Sequence, residues 1–373
     1  MIDILGYFAL TFIAGYFCYA VFGCFRNSYW NKLDYCFLLI FFFSVIFLSF
    51  YIVPSISDDL YRWHAAVNWY RLGRPDSFSL TVRRNSEIVC FLNTFIVMLV
   101  SKLSNNGWLQ VIWLTINYCC MYRIMQILIK EKARRGYFYI GILLAFAFTP
   151  YFFQASGLRF PSVCFIMLYT IMMSIKKGKK SAPFIVGTAC VFIHVGALII
   201  LLIWGAYCVS KETKIYRLIV LWSIFLDSVI YILRKIPISF ASVLSNKLYY
   251  YVNHYQSSLD IRYWLLCFFS IILFGSGLYI TKNRILSDDN AVHYAKYLEC
   301  LLLFTVGSIA NCMFFARCMQ LLGVSLIPYN YYIVKQLKHK LPLIICELFV
   351  SLSMIMIFLV SVKTFFSYSI FDL

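Results

Sequence analysis

Hydrophobic residues in this chain come in long, nearly unbroken runs. They do not alternate as in a half-buried strand, nor stripe one face as in a surface helix. The runs lie at 2–24, 36–54, 88–103, 108–129, 137–155, 160–175, 183–208, 216–233, 262–280, 297–315, 318–334 and 341–362. Most are long enough for a helix to cross the ~30 Å hydrocarbon layer of a bilayer. The pattern predicts an all-α, polytopic integral membrane protein of about 10–12 transmembrane or re-entrant helices, a single domain over 1–373. The two long connections, 55–87 and 234–261, are rich in Tyr, Trp and Arg, which suits helices lying in the membrane interface. Asp58 stands where it would cap the first of these, with Leu60 to Leu72 as its body.

Composition sharpens this reading. The chain has 373 residues, 62% hydrophobic and 13% charged, with a mean hydropathy of +0.81. An ordinary soluble domain carries about 25% charged residues, and no water-soluble fold could hide so much apolar surface. The net charge of +18 would suggest a nucleic-acid partner in a soluble protein. Here Lys and Arg gather in short loops, "KEKARR" (130–135), "KKGKK" (176–180), "KETKIYR" (211–217) and "KQLKHK" (335–340), as cytoplasmic loops require, so no nucleic acid is expected. Of fourteen cysteines, Cys18, Cys36, Cys90, Cys164, Cys190, Cys267 and Cys346 fall inside apolar runs. No CxxC or zinc-type spacing occurs, which leaves them as small buried hydrophobes. The first run opens "MIDILGY", without the basic segment of a signal peptide, and is read as a span.

Charge also constrains topology. If every run crosses once, 55–86 falls inside and 211–217 outside, against its charge. Two segments resolve the conflict. Residues 88–103 are short, with Asn93 inside and Lys102 at the end, and read as a dip and return. Residues 183–208 carry His194 near the middle beside Gly196, and read as two half-helices meeting at His194. All four basic loops then lie inside. Asp58, Arg159, His194, the 234–261 connection and Arg317 share the outer side.

Candidate chemistry collects there. "SDDLYRWHAAVNWYRLG" (57–73) brings Asp58 and Asp59 to the end of a run. They read either as cap and helix-dipole partners or as a general base or metal ligand at the mouth of a cavity. Tyr61, Trp63, Trp69 and Tyr70 form a candidate sugar-stacking face. In "FTPYFFQASGLRFPSVCFI" (148–166), a polar corner with Gln154 and Arg159 precedes Pro161, a residue suited to a helix's first turn. A cation beside a helix N-terminus suits an anion such as diphosphate. The competing reading is an arginine reaching for lipid headgroups. His194 lies within an apolar run, where an ionisable side chain is read as functional, and histidine as a residue type suits proton transfer. Arg317 falls between two late runs. Asp227, inside "LWSIFLDSVIYIL", has no partner visible in the sequence and is read as structural.

The order of these motifs carries a resemblance. Two N-terminal spans precede an Asp with a Tyr shortly after. An Arg corner, "ACVFIHVGALI" (189–199), "KLYYYVNHY" (247–255) and a late Arg follow. Over about residues 1–340 the chain resembles the EpsG family of Wzy-like exopolysaccharide polymerases. Its first loop also resembles the acidic motif of GT-C glycosyltransferases. It departs from the family's Asn–x–x–Arg–Gln pattern, reading Ala155-Ser156-Gly157-Leu158-Arg159-Phe160.

The resemblance implies a GT-C-like fold and a polymerase that joins polyprenyl-diphosphate-linked oligosaccharide repeats at the outer face of a bacterial cytoplasmic membrane. Arg159 and Arg317 would hold the diphosphate, with Tyr61 and Gln154 also binding substrate. Asp58, Asp59 or His194 would take the proton of the incoming hydroxyl. No cofactor is expected, with a divalent metal at Asp58 and Asp59 left open. The partners implied are the lipid-linked oligosaccharide, membrane lipid, and a chain-length regulator and flippase of the same pathway. Alternatives are another lipid-linked-sugar glycosyltransferase, an O-antigen ligase, a membrane acyltransferase, or a lipid-linked oligosaccharide flippase. Flippases usually show two related halves, and no repeat is visible.

Overall fold

The computed structural model describes residues 2–25, 30–52, 54, 59–73, 90–129, 135–148, 157–210, 214–237, 239–253, 288–309 and 311–334, with isolated positions 268, 271, 272, 275, 345 and 348. The runs 262–280 and 341–362 lie almost wholly outside them, as do most of 55–87 and the basic stretches 130–134, 211–213 and 335–340. All regular structure among the described residues is helical. Four segments are long and apolar enough to cross a membrane: Lys32–Ser49, Trp108–Ile129, Arg159–Lys177 and Ile215–Lys235. The chain divides into two compact units.

The first unit comprises Met1–Leu72, Ile96–Tyr169 and Gly323–Leu373. It contains α1 (Ile2–Cys24), α2 (Lys32–Ser49), α3 (Asp59–Arg71), the second half of α4 (Phe91–Ser101), α5 (Trp108–Ile129), α6 (Arg135–Phe148) and the start of α7 (Arg159–Lys177). Its core is aromatic. Tyr16 stacks on Phe41 at 4.3 Å, Phe42 on Tyr118 at 4.7 Å, and Phe146 packs edge-on against Phe41. Helix α2 begins four residues before the apolar run expected from 36, and so includes Asp34. The reason is a reciprocal capping box: the Asn31 side chain accepts from the Asp34 N–H, and Asp34 Oδ2 from the Asn31 N–H.

The remaining capacity of Asp34 is also filled. Arg135 Nε donates to Oδ2 at 2.6 Å, and the Tyr19 and Tyr139 hydroxyls donate to Oδ1 at 2.9 and 2.8 Å. Arg135, read from the sequence as part of a solvated loop, is buried at the start of α6. A side chain on Gly107 would strike the Phe50 carbonyl, so the bare backbone there lets α5 begin against the end of α2.

The second unit comprises Gly73–Phe95 and Thr170–Leu322. It holds the end of α7, α8 (Ala182–Val191), α9 (Ala197–Val209), a 3-10 helix (Ile215–Phe225), α10 (Leu226–Lys235), α11 (Ser239–Asn253), α12 (Asp289–Gly307) and the start of α13 (Cys312–Tyr332). The 183–208 run breaks where expected, at residues 192–196 around His194. Trp204 Nε1 then donates to the Lys180 carbonyl at 3.0 Å. That bond brings α9 back beside the chain entering α8, so the two half-helices form a hairpin with His194 at its tip.

The 216–233 run is a 3-10 segment that relaxes into α10. Asp227 sits in the first turn of α10, where the helix dipole favours a negative charge. Helix α12 starts at 289 rather than 297. Asp288 caps it by accepting from the Asn290 N–H at 2.9 Å, and the half-polar "DNAVHYAKY" buries Tyr294 and Tyr297. The helix closes at Gly307, where a Cβ would collide with the Val220 carbonyl.

Candidate functional site

Asp58 and Gln154 lie outside the described residues. Asp59 opens α3 and is exposed, with Arg62 3.5 Å away one turn on. Such an exposed pair contributes little stability. Tyr61 is exposed on the same helix.

The opposite face of α3 is moored by a chain of hydrogen bonds. His64 Nε2 donates to Gln110 Oε1 at 3.1 Å, and Gln110 Nε2 donates to the Ile52 carbonyl at 3.1 Å. Asn106 Nδ2 donates to Asn68 Oδ1 at 2.9 Å. Arg71 donates to the same Asn68 oxygen at 3.0 Å and to the Leu103 carbonyl at 2.7 Å. Burial lowers the His64 pKa below its usual value, against the opposing bond to Gln110. The carbonyls of Ile52 and Leu103 are ends of the backbone that no helix satisfies. Binding them with side chains from α3 and α5 removes a desolvation cost and fixes α3 in place.

Arg159 is the first residue of α7, and its guanidinium lies 4.2 Å over the Trp63 ring of α3. Trp63, expected on the sugar-stacking face, thus gives its ring to Arg159. A cation at this distance over an indole is attracted by the ring's negative face. The preceding residue, Leu158, is buried with φ at +34°. A left-handed backbone at a leucine costs about 1–2 kcal/mol. This strained corner turns the chain into α7 and sets the start of the helix under α3. Pro161 follows within the first turn, as expected.

In the second unit, His194 and Arg317 line one cavity of about 250 Å³. Its other walls are mainly apolar, including Leu198, Leu202, Leu226 and Leu244. Helix α9, the 3-10 segment, α10, α11, α12 and α13 all contribute. Trp222 forms a flat panel, stacked on Phe304 at 4.4 Å. Arg317 stands half-buried in α13, with Nη1 3.4 Å from Gln320 Oε1. His194 Nδ1 accepts the Gly196 backbone N–H at 2.9 Å. Arg317 thus places a cation among mainly apolar walls.

The described site residues therefore fall into two sets: Asp59, Tyr61 and Arg159 around α3, and His194 with Arg317 around the cavity. Sequence reasoning missed Trp63 as the partner of Arg159, the His64–Gln110 bond, and the burial of Arg135 on Asp34. Only the last had a local signal, the capping-box spacing of Asn31 and Asp34. Among the described residues, no three His, Cys, Asp or Glu side chains are grouped to hold a metal. Compared with protein-family models, curated proteins and solved structures, the chain matches none.

Proposed function

We propose that this chain is a polytopic membrane protein that joins polyprenyl-diphosphate-linked oligosaccharide repeats at the outer face of a bacterial cytoplasmic membrane. The observation that carries the reading is the cavity lined by His194 and Arg317. Its apolar walls suit an isoprenoid chain, and its arginine suits the phosphate at the chain's end.

Charge and geometry support the orientation within each unit. In the first, the Asp34–Arg135 pair joins the starts of α2 and α6, and the sequence just before each of these helices is basic, with Arg26 ahead of α2 and "KEKAR" ahead of Arg135. That end is cytoplasmic by the positive-inside rule. Helices α2 and α5 run about 27–33 Å from it to the end where α3 and Arg159 lie, which becomes the outer face. In the second, the Trp204–Lys180 bond returns the hairpin to the side it left. Both "KKGKK" and "KETKIYR" are then cytoplasmic, with His194 at mid-depth.

In the reaction, an acceptor sugar hydroxyl attacks the anomeric carbon of the donor. The bond from that carbon to the diphosphate oxygen breaks, and the hydroxyl proton passes to a general base. Arg317 stabilises the charge that develops on the departing diphosphate. Within the first unit, Arg159 over the Trp63 ring places a cation beside α3, the helix that also carries Asp59 and Tyr61.

Deletion of the gene is expected to leave single lipid-linked repeats and no long glycan. Glycan of normal length in the deletion strain refutes the reading. A mutant that accumulates finished polymer on the carrier identifies a ligase instead.

A further inference from the structure

We infer that the cavity of the second unit takes a hydrocarbon chain sideways from the bilayer, between Leu202 of α9 and Val229 of α10, and encloses only about ten of its carbons. This rests on the cavity binding an isoprenoid lipid, as proposed above, and states how much of that lipid is read: about two isoprene units, whatever the length of the rest.

Exposure locates the mouth. Among the described residues that line the cavity, Leu202 and Val229 are also exposed, whereas Ile199, Leu226, Leu244, Phe304 and Phe314 are buried. Val229 belongs to Ile215–Lys235, a segment long and apolar enough to cross a membrane. The side chains of Tyr231 and Ile232 beside it are exposed too. In a membrane such a surface meets lipid chains, so the mouth opens onto hydrocarbon rather than water.

One wall is rigid. Trp222 stacks on Phe304 at 4.4 Å, meets Phe314 edge-on at 5.0 Å, and donates its Nε1–H to the Phe304 carbonyl at 3.2 Å. An indole held by two rings and a hydrogen bond does not swing aside to lengthen the cavity. Volume therefore sets the capacity. An apolar cavity of roughly 150 Å³ holds one benzene, six carbons. At the same packing, about 250 Å³ takes about ten carbons, or two isoprene units.

Lipid tails are as apolar as leucine, so a chain gains no hydrophobic energy by leaving the bilayer. The gain comes from close packing against fixed walls, and only enclosed carbons make it. Carbons beyond the mouth lie in lipid whether the ligand is bound or free, and add nothing.

The test uses the full-length protein in nanodiscs and probes that share one headgroup: dimethylallyl, geranyl, farnesyl and geranylgeranyl diphosphate. Affinities are expressed per mole fraction of probe in the bilayer. Affinity should rise by about tenfold or more from dimethylallyl to geranyl, and stay within about threefold from geranyl to geranylgeranyl. Val229→Trp and Leu202→Trp each place an indole in the mouth, and should weaken geranylgeranyl diphosphate binding by about tenfold or more. Leu221→Trp, at an exposed position outside the lining, should bind as the parent does. All three positions are exposed, so the variants should fold, which thermal unfolding checks. A photoreactive phosphatidylcholine should label the lining and be displaced by geranylgeranyl diphosphate.

Affinity that keeps rising beyond geranyl overturns the stated capacity. Unchanged affinity in both mouth variants overturns the site. Phosphatidylcholine label that no prenyl diphosphate displaces makes the cavity a seat for bilayer lipid and overturns the isoprenoid assignment. The expected binding pattern in a protein whose deletion leaves glycan length unchanged upholds the inference and refutes the polymerase.

Discussion

Removing Asp34 should destabilise the protein far more than removing both members of its ion pair. The carboxylate is fully buried and accepts four hydrogen bonds, from the Asn31 N–H, Arg135, Tyr19 and Tyr139. Asp34→Leu leaves the Arg135 guanidinium buried without its counter-charge. Breaking a buried pair from one side costs about 3–5 kcal/mol. Arg135→Met removes one charge-assisted bond, about 1.5–3 kcal/mol, and leaves the carboxylate with three donors. If the sites were independent, the double variant would lose the sum. Instead it carries no buried charge, and its loss should fall below that of Asp34→Leu alone. For a unit of this size, about 2–4 °C of Tm accompanies each kcal/mol, so Asp34→Leu should melt roughly 6–20 °C lower. Tryptophan fluorescence during heating in nanodiscs reads this directly, since Trp30 lies 5.1 Å from the Tyr139 ring. Additive losses, or an Asp34→Leu variant that melts like the parent, would refute the argument that the pair is a closed unit.

Arg159→Lys should shorten the glycan nearly as much as Arg159→Ala, because a point charge cannot replace the planar fork that lies on Trp63; full-length polymer from the Lys variant would return Arg159 to headgroup binding. Gly307→Ala drives a Cβ into the Val220 carbonyl and should cost about 1–3 kcal/mol, whereas Gly205→Ala, with open space around it, should leave Tm unaltered or raised. His64 has its folded pKa below the unfolded value of about 6.5. The unfolded state therefore binds more protons, and stability rises with pH. The contribution is complete above about pH 6.5 and is lost as pH falls through the folded value, by at most about 1.4 kcal/mol per pH unit. A His64→Gln variant should show a flatter decline in Tm between pH 7 and 5, and an identical slope in both proteins would refute the assignment.

Helix existence was legible in the sequence, because long apolar runs depend on composition alone. The break at His194 was legible for a related reason: an ionisable residue and a glycine interrupt one of these runs. What the sequence hid were contacts between residues distant along the chain. Arg135 reads as one more cation in "KEKARR" until a carboxylate 101 positions away accounts for its burial. The start of α12 was misplaced because "DNAVHYAK" reads as half polar, whereas Ala291 and Tyr294 within it are fully buried. The pairing of Trp63 with Arg159 depends on a strained turn at Leu158, and no local pattern announces a leucine in the left-handed region.

Asp34 sits within a regular helix, whereas Arg159 and His194 sit at interruptions. Asp34 lies within the first turn of α2, and its hydrogen-bonding capacity is taken up by neighbouring helices. Such a group can be exchanged for apolar residues if its partner goes too. Arg159 and His194 lie where the backbone departs from the helix, after a left-handed residue and between two half-helices. Irregular backbone is costly in an apolar medium, since its N–H and C=O groups lose their regular partners. At residues 192–196 that cost is offset by local bonds, one of them from the Gly196 N–H to the histidine ring. The break is also what lets α9 fold back beside the chain entering α8. Replacing His194 with alanine removes the acceptor of the Gly196 N–H and should lower Tm modestly, while impairing glycan extension. An alanine variant with unchanged Tm and normal glycan length would show that the ring neither stabilises the break nor serves the reaction.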